Sequence, residues 1–322
     1  MRIAQQYIVP ITQPTNLQFD ETQANPNIGT IDSFSLSLLP VVNDSLINNG
    51  TNSQLLLTNS NDLAKIALGA IGENKPLLAL AGDDFVVGTI LPEPIYGNAG
   101  NDTIFGSGLS QTNFELEGQS PALGDFLSGG KGNDVISGGR GDDTIWGERG
   151  SDSLFGNEGA DTFRGGKDDD ILVGNGGRDV LVGEQGIDRL WGGENADIFV
   201  FRTEDAVPAS NYGYEQPPTD PITAYQSVPA DIILDYAPGE DVIGLAGGLS
   251  FTDLIMYEKY IVLGDQRDYH ANGPFPLTQT NRTADFQVET SLATIITEGI
   301  TGNILAIVKG VASNLISIST IV

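Results

Sequence analysis

The most regular pattern in the chain is an apolar residue that recurs every ninth position between residues 129 and 200. Eight consecutive nine-residue units fit this interval, and the apolar residue is the eighth residue of each. The residues at this position are Ile136, Ile145, Leu154, Phe163, Leu172, Leu181, Leu190 and Phe199. The last three residues of a unit predict a very short strand with one inward side chain, and the first six predict a turn. Because one unit cannot bury its apolar side chain alone, the pattern predicts a stack in which two units form one coil.

The polar residues follow the same period. Each unit opens with glycine and has aspartate at its sixth position. The opening glycines are Gly129, Gly138, Gly147, Gly156, Gly165, Gly174, Gly183 and Gly192. The sixth-position acids are Asp134, Asp143, Asp152, Asp161, Asp170, Asp179, Asp188 and Asp197. Glycine lets the backbone pass close to a ligand, so glycines beside a column of carboxylates indicate a cation-binding region.

The chemistry of these residues favours calcium as the cation. Acids in one row are expected about one coil spacing apart, and like charges at that distance repel each other unless a cation lies between them. Calcium accepts carboxylates and backbone carbonyls in flexible geometry, whereas magnesium requires a tight octahedron and keeps its waters. Zinc and copper are disfavoured because the chain has no Cys and only one His, His270. The alternative interpretation is a disordered Gly- and Asp-rich linker, which would not require an apolar residue in every unit.

The repeated sequence resembles the RTX (repeats-in-toxin) nonapeptide G-G-x-G-x-D-x-(apolar)-x. The resemblance implies an all-β fold, a right-handed parallel β-roll flanked by β-rich N- and C-terminal caps. It also implies several calcium ions between adjacent turns, held by the sixth-position Asp side chains and by carbonyls of the opening residues. The implied carbonyl donors are the opening glycines and the glycines at positions two and four. In addition to the opening glycines, these are Gly130, Gly132, Gly139, Gly141, Gly150, Gly159, Gly166, Gly177, Gly186 and Gly193.

Several copies depart from the RTX pattern at these glycine positions. The replacements at positions two and four are Glu148, Asn157, Asn175, Glu184, Asp168 and Asn195. We expect weaker calcium binding at these copies, or, for the two glutamates, side chains that point to solvent.

Weaker copies precede the regular repeats. The segment 97–105 is a complete unit that adds Asp102 to the expected calcium ligands. Asp125 belongs to a half copy before Gly129 and is also an expected ligand. Asp84 and Val86 resemble a degenerate first copy. The pattern is interrupted between residues 106 and 123, where we expect a surface loop.

These observations divide the chain into residues 1–79, 80–201 and 202–322, of which the middle part is the roll. In the first part, alternation over residues 33–38 predicts a half-buried strand. Asp62 is a candidate N-cap for a short helix with Leu63, Ile66, Ala67 and Ala70 on one face. This part is expected to be a small β-rich domain or a cap, since the ends of a solenoid expose apolar side chains and unpaired edges.

The last part is expected to form the other cap. Residues 230–245 resemble the segment that follows the repeats in many secreted RTX proteins, which implies two strands around a turn. Residues 303–311 resemble a late strand of cyanobacterial RTX proteins. The Pro- and Tyr-rich stretch 203–228 is interpreted as a surface loop or as an aromatic contact surface.

Charge and targeting features narrow the possible partners. A net charge of −28 argues against nucleic acid and anionic membrane surfaces. We find no sustained apolar segment typical of a signal peptide and no apolar run long enough for a membrane span. The RTX resemblance implies recognition by type I secretion machinery through an uncleaved C-terminal signal. The apolar tail 314–322 is consistent with that signal or with a final β-strand.

The sequence favours a secreted or cell-surface calcium-binding protein without catalytic activity. A zinc protease site needs two histidines, and no Gly-x-Ser-x-Gly elbow or phosphate-binding loop occurs. Two alternatives remain open at this point. One is an adhesin or a surface-layer or filament component, which would contact cell-surface polysaccharide or associate with itself. The other is a carbohydrate-active enzyme that uses paired carboxylates.

Overall fold

The computed structural model describes residues 41–42, 55–57, 59, 61–66, 76–89, 94–106, 124–206, 230–263 and 289–321. Regular structure in these residues is almost entirely β-strand, with short 3-10 helices at Thr203–Asp205, Phe251–Asp253 and Ser313–Leu315. The all-β prediction is therefore confirmed. In the described ranges, no helix has the length and hydrophobicity needed to cross a bilayer. The chain divides into two compact units, Met1–Arg149 with Ser153–Thr162 and Gly150–Asp152 with Phe163–Val322.

Strands of the first unit alternate between two parallel sheets along the chain. In chain order they are β1 (Val41–Val42), β2 (Leu55–Leu56), β3 (Leu63–Ile66), β4 (Leu77–Leu78), β5 (Phe85–Val87), β6 (Pro94–Ala99), β7 (Thr103–Phe105), β8 (Phe126–Lys131), β9 (Val135–Arg140), β10 (Thr144–Arg149) and β11 (Ser153–Glu158). One sheet has the order β1-β3-β5-β7-β9-β11 and the other the order β2-β4-β6-β8-β10. Thr144 lies opposite Phe126, and Ser153 lies opposite Val135. Two nonads therefore complete one coil, as the repeat pattern predicts.

Strands of the second unit also alternate between two sheets, and two of the later strand pairs are antiparallel. Its strands are β12 (Thr162–Lys167, of which Thr162 is assigned to the first unit), β13 (Ile171–Gly176), β14 (Val180–Gln185), β15 (Arg189–Glu194), β16 (Ile198–Phe201), β17 (Asp231–Ile233), β18 (Val242–Leu245), β19 (Leu254–Leu263), β20 (Glu289–Glu298), β21 (Ile304–Lys309) and β22 (Ile318–Thr320). The sheet orders are β13-β15-β17-β21-β20-β19 and β12-β14-β16-β18-β22. The pairs β19–β20 and β20–β21 are antiparallel, and β17–β21 is parallel.

The eighth-position side chains form the interior of both units. All eight are 0% exposed, from Ile136 to Phe199, and Phe163 and Phe199 are among the largest fully buried side chains. Full burial of such a side chain contributes about 1.5–3 kcal/mol, so the apolar ladder is a principal source of stability. The predicted inward direction of the eighth position is confirmed.

The strands are longer than the sequence pattern predicted. Strands such as Val135–Arg140 begin at position seven and continue through the third residue of the next nonad. The prediction that all of the first six residues form a turn is wrong for the first three. In the parallel ladder, Asn157 lies opposite Gly139 and Glu158 lies opposite Arg140. These coil-to-coil pairs hold the opening residues extended, so only positions four to six remain for the turn.

The predicted helix after Asp62 is wrong. Leu63–Ile66 is strand β3, in which Leu63 lies opposite Phe85 and Ala64 is buried. A short apolar run fits a helix or a strand equally well by pattern alone. Here parallel pairing with β5 holds the run as a strand. The sheets thus run past Leu80 on its N-terminal side, where β4 pairs with β6.

The strands expected in the C-terminal part are present in the structure. The segment 230–245 contains two strands, β17 and β18, and β21 occupies the predicted late strand. The tail forms the final strand β22, which pairs in parallel with β18. Buried residues of this region form an apolar cluster: Ala230, Ile232, Ala293, Ile295, Ile304 and Ile307. The predicted strand at 33–38, residues 107–123 of the predicted loop, residues 207–228 of the Pro- and Tyr-rich stretch and His270 lie outside the described residues.

Candidate metal centre

The sixth-position aspartates form rows that connect successive coils, and the second unit shows both rows. In one row the backbone N–H of Asp152 donates to Oδ1 of Asp170 at 2.8 Å, and the N–H of Asp170 donates to Oδ1 of Asp188 at 2.8 Å. In the other row the N–H of Asp179 donates to Oδ1 of Asp197 at 2.9 Å. One carboxylate oxygen of each accepting aspartate is therefore hydrogen-bonded to the backbone of the preceding coil.

The first unit has the same two rows. The N–H of Asp102 donates to Oδ1 of Asp134 at 2.6 Å. The N–H of Asp125 donates to Oδ1 of Asp143 at 2.6 Å, and that of Asp143 to Oδ1 of Asp161 at 2.7 Å. All ten predicted Asp ligands are buried, including the two from the irregular upstream copies, Asp102 and Asp125.

The second carboxylate oxygen is the unusual feature of these rows. Oδ2 of Asp102, Asp143, Asp170, Asp188 and Asp197 is buried and accepts no hydrogen bond from the described residues. Each of these side chains is at most 1% exposed. A buried carboxylate oxygen without a donor is unfavourable unless a positive charge compensates it. The rows therefore present a series of oxygens that require a cationic partner.

The pKa values of these carboxyl groups also show that burial opposes their ionisation. Burial raises the pKa of Asp143, Asp161 and Asp197 to about 7, although a backbone N–H bond lowers it in part. Burial raises the pKa of Asp134 to about 8. For Asp170, burial and then the neighbouring carboxylates raise the pKa to about 10. Without a cation, ionisation of these groups is costly at neutral pH.

The opening glycines provide the space in which oxygens converge. A Cβ on Gly165 would overlap Oδ2 of Asp170 and would lie 2.7 Å from the carbonyl oxygen of Gly183. A Cβ on Gly106 would lie 2.6 Å from Oδ2 of Asp125 and 2.7 Å from the carbonyl oxygen of Gly138. Carboxylate and carbonyl oxygens thus approach each other where a side chain is missing. This donor set suits calcium, and it supports the opening glycines as carbonyl donors.

Positions two and four adopt a left-handed backbone in all eight repeats except at Gly186, whether or not they are glycine. Gly130 and Gly132 have φ of 110° and 124°, and Glu148, Asn157 and Asp168 have φ between 74° and 81°. Asn175, Glu184 and Asn195 behave in the same way. Departures from the glycine pattern therefore do not change the turn conformation, although non-glycine residues adopt it at a cost.

The glutamates at position two bind neighbouring side chains. Glu148 accepts a hydrogen bond from Oγ of Ser128 at 3.2 Å. Glu184 is 21% exposed and binds Arg202 at 3.2 Å, and it also contacts Arg164. The expectation that Glu184 points to solvent is wrong, because two guanidinium groups hold its carboxylate against the sheet.

Sequence reasoning missed a second ladder at position five. Asn101 N–H donates to Oδ1 of Asp83 at 2.9 Å, and Asn133 N–H donates to Oδ1 of Asn101 at 2.7 Å. In the second unit, Ile187 N–H donates to Oδ1 of Asp169 at 2.9 Å. The recurrence of Asn and Asp at this position was the available signal. These side chains link exposed turns, whereas the sixth-position aspartates form the buried rows.

The rows also continue into the segment after the repeats. Oδ1 of Asp231 accepts from the N–H of Asp188 at 3.0 Å, and Oδ1 of Asp241 accepts from the N–H of Asp197 at 3.0 Å. The sequence pattern assigns these residues to the cap and not to the rows. The available signal was an Asp directly before two consecutive apolar residues, as in Asp231-Ile232-Ile233.

The metal site is not a cluster of acidic side chains. Within the residues that the structure describes, no group of three or more His, Cys, Asp or Glu side chains could hold a metal ion by itself. Backbone carbonyls, such as those of Gly138 and Gly183, are the other protein oxygens that approach the same space as the carboxylates. Calcium accepts such a mixed shell of oxygens, and the absence of Cys from the sequence removes the ligands that zinc prefers.

Comparison with known families agrees with this geometry. The family model for the RTX calcium-binding nonapeptide repeat (4 copies) matches residues 94–108, 122–154, 146–181, 155–190 and 173–202. The curated proteins gave no match. The chain carries RTX calcium-binding repeats over these residues, and they fold as a parallel β-roll that contains the Asp rows.

Proposed function

We propose that this RTX repeat protein is secreted or displayed at the cell surface, and that its β-roll folds when calcium binds. In this proposal the roll is a structural and binding element without catalytic activity. The observation that carries the proposal is the series of buried Oδ2 atoms that accept no hydrogen bond from the described part of the chain, such as those of Asp143, Asp170 and Asp197. A fold that buries these oxygens is much more stable when a cation compensates their charge.

The residues that would hold calcium belong to consecutive turns. Oδ2 of Asp170 lies beside Gly165 and close to the carbonyl oxygen of Gly183. When bound, calcium supplies the positive charge and accepts these oxygens as ligands. In the folded roll the Oδ1 hydrogen bonds hold these oxygens in place, for example the bond that Asp152 N–H donates to Asp170.

Metal binding stabilises the native state by mass action. A ligand that binds only the folded chain adds about 2.7 kcal/mol per site at one hundred times its Kd. Several sites in adjacent coils make this effect cumulative, and stacking makes the transition cooperative. In a calcium-poor cytosol the net charge of −28 favours an expanded chain. Such a chain would suit type I secretion, and millimolar calcium outside would then fold it.

The test is far-UV circular dichroism on metal-stripped protein during a calcium titration. We expect a cooperative change from coil to β-structure with calcium, and no comparable change with magnesium at equal concentration. A spectrum that shows full β-structure in chelator and does not respond to calcium would overturn the metal-gated mechanism.

A second candidate function is self-association in a surface layer or filament. Strand β19 lies at the edge of its sheet and exposes Ile255 and Tyr257, which are 53% and 44% exposed. Phe251 and Ile300 are also exposed. Exposed apolar residues on an edge strand favour association with another chain. Light scattering at calcium concentrations that fold the monomer would show ordered assemblies if this candidate is correct.

A further inference from the structure

A turn upstream of the matched repeats has the structure of a calcium-binding turn. The family match begins at residue 94, so it excludes the turn formed by residues 79–84. Strand β5 follows this turn and pairs with β7, with Phe85 opposite Thr103. Val86 is 0% exposed and occupies the inward position of the eighth residue. The coil is therefore a repeat in structure, although its sequence is degenerate.

Asp84 makes the same contacts as the sixth-position aspartates of the matched repeats. Its N–H donates to Oδ1 of Asp102 at 2.9 Å, and its Oδ1 accepts from the N–H of Asp62 at 2.8 Å. Asp84 is 2% exposed, and its Oδ2 accepts no hydrogen bond from the described residues. One oxygen thus holds the neighbouring coil, and the other is buried and requires a positive partner.

The backbone of this turn is also that of a repeat. Leu80 has φ of 77° and Gly82 has φ of 124°, at positions two and four. A left-handed leucine is strained, so the turn keeps this conformation against the preference of its sequence. Gly82 N–H donates to the carbonyl of Ala99 at 2.9 Å, as Gly100 N–H does to that of Lys131 at 2.7 Å. The turn therefore stacks on the next coil as the matched repeats do.

We infer that Asp84 and Asp102 hold an additional calcium ion, together with backbone carbonyls of the turns 79–84 and 97–102. The inference rests on the proposed calcium-dependent function and extends it to a site outside the matched repeats. Position one of this turn is Ala79 instead of glycine. A Cβ at the equivalent Gly97 would overlap Oδ2 of Asp102, and by the same geometry we expect the methyl group of Ala79 to crowd Oδ2 of Asp84. The additional site is therefore weaker than the sites of the matched repeats.

Asp241 provides a natural contrast after the last repeat. Its Oδ1 accepts from Asp197 N–H at 3.0 Å, and its Oδ2 accepts from Ala237 N–H at 2.7 Å. Both oxygens therefore have peptide donors, and none is left for a cation. Asp241 therefore ends its row with both oxygens hydrogen-bonded, whereas Asp84 has one oxygen that is available to a metal.

The experiment compares Asp84→Asn with Asp241→Asn in the full-length chain. Bound calcium is counted by equilibrium dialysis followed by elemental analysis, and folding in calcium is checked by circular dichroism. We expect D84N to bind one calcium fewer per chain than the unmodified protein, and D241N to bind the same number. An unchanged calcium count in D84N, in a chain that otherwise binds calcium, would overturn the inference and leave the proposed function intact. A wild-type chain that binds no calcium would overturn both.

If D84N does not fold, a second variant tests the calcium site at Asp84. Ala79→Gly removes the methyl group that crowds the site, so it should strengthen the weakest calcium-binding step in isothermal titration calorimetry by about tenfold. The number of sites should stay the same. An isotherm that coincides with that of the unmodified protein would contradict a calcium site at Asp84.

Discussion

At the scale of single residues, each sixth-position aspartate uses its two oxygens for different purposes. Oδ1 of Asp170 accepts the N–H of Asp152 and fixes the spacing between coils. Oδ2 of the same residue is buried without a hydrogen-bond donor among the described residues and is available to a metal. Substitution by asparagine should separate these roles, because it keeps one oxygen and removes the charge.

We expect Asp170→Asn to weaken the calcium-bound protein and not the metal-free protein. Loss of one saturated site removes on the order of 2–3 kcal/mol of calcium-dependent stability. In chelator the variant should be at least as stable as the unmodified chain, because it no longer buries an ionisable group whose pKa is raised to about 10. Denaturant unfolding in calcium measures the first effect, and the β-structure that remains in chelator, measured by circular dichroism, measures the second. Glu194→Gln is the control: it removes an exposed charge at position three, outside both ladders, so neither value should change. Equal destabilisation of D170N in both conditions would contradict a metal-binding role.

The raised pKa values predict that acid stabilises the metal-free roll. In the folded state the pKa of Asp143, Asp161 and Asp197 is about 7, against 3.8 for an ordinary Asp. Between about pH 4 and pH 8 the folded chain therefore binds more protons than the unfolded chain, and its stability falls as pH rises. Circular dichroism in chelator should therefore show more β-structure at pH 5 than at pH 8. A β-structure content that rises with pH in chelator would contradict this assignment of the buried carboxylates.

Calcium and protons should also compete for the same oxygens. Binding requires the ionised carboxylate, so calcium affinity should fall on acidification and binding should release protons. Calorimetric titrations at pH 7 in two buffers of different ionisation enthalpy would measure the number of protons released. A value of zero at pH 7 would mean that the buried acids are already ionised before calcium arrives.

At the scale of elements, the repeat joins a strand to a turn within the same glycine-rich segment. The period of the sequence was sufficient to predict the inward eighth position and the rows of aspartates, although not their burial. It did not predict that the strand Val135–Arg140 runs through Gly138 and Gly139, since glycine has a low strand propensity by itself. The neighbouring coils override that propensity with ladder hydrogen bonds.

Strand β3 and the position of Asp231 in the row were not predicted, for separate physical reasons. The run from Leu63 to Ile66 is too short for its periodicity to distinguish helix from strand. The nine-residue period ends before Asp231, so the period alone did not assign Asp231 to the row, although Asp-Ile-Ile resembles the end of a repeat. Long-range pairing, of Asp188 with Asp231 in this case, is decided by tertiary structure.

The opening glycine should be essential for calcium binding. Gly165→Ala places a methyl group against Oδ2 of Asp170 and near the carbonyl oxygen of Gly183. We expect calcium affinity at that site to fall at least about tenfold, which corresponds to about 1.4 kcal/mol. Gly302→Ala is the control, because Gly302 has φ of 73° but a Cβ there would meet no atom of a non-adjacent residue within 4 Å. That variant should lose only backbone stability, equally with and without calcium. An unchanged calcium isotherm for G165A would contradict the proposed ligand geometry.

At the scale of the whole molecule, the high negative charge and the buried apolar ladder oppose each other. The net charge of −28 favours an expanded chain, whereas burial of the eighth-position side chains favours the folded one. Divalent ions bound in the rows would both neutralise charge and connect coils. Screening by ordinary salt can reduce repulsion, but it cannot supply ligands for the buried oxygens.

Removal and return of calcium should therefore change the dimensions of the chain. An unfolded chain of 322 residues has a radius of gyration of roughly 60 Å, and a folded chain is much smaller. We expect small-angle X-ray scattering to show a large decrease when calcium is added to stripped protein. Sodium chloride at the same ionic strength is the control and should produce little compaction. Equal compaction by both salts would indicate charge screening and not specific binding.

The two ladders of the turns point in opposite directions along the roll. Ile187 donates back to Asp169 at position five, and Asp170 donates forward to Asp188 at position six, each across 18 residues. Every link therefore reaches only the adjacent coil of its own row. Duplication or deletion of one complete coil would leave each remaining link with an equivalent partner. The length of such a protein can consequently change during evolution in steps of one coil, each step adding or removing metal sites, without any redesign of the turns that remain.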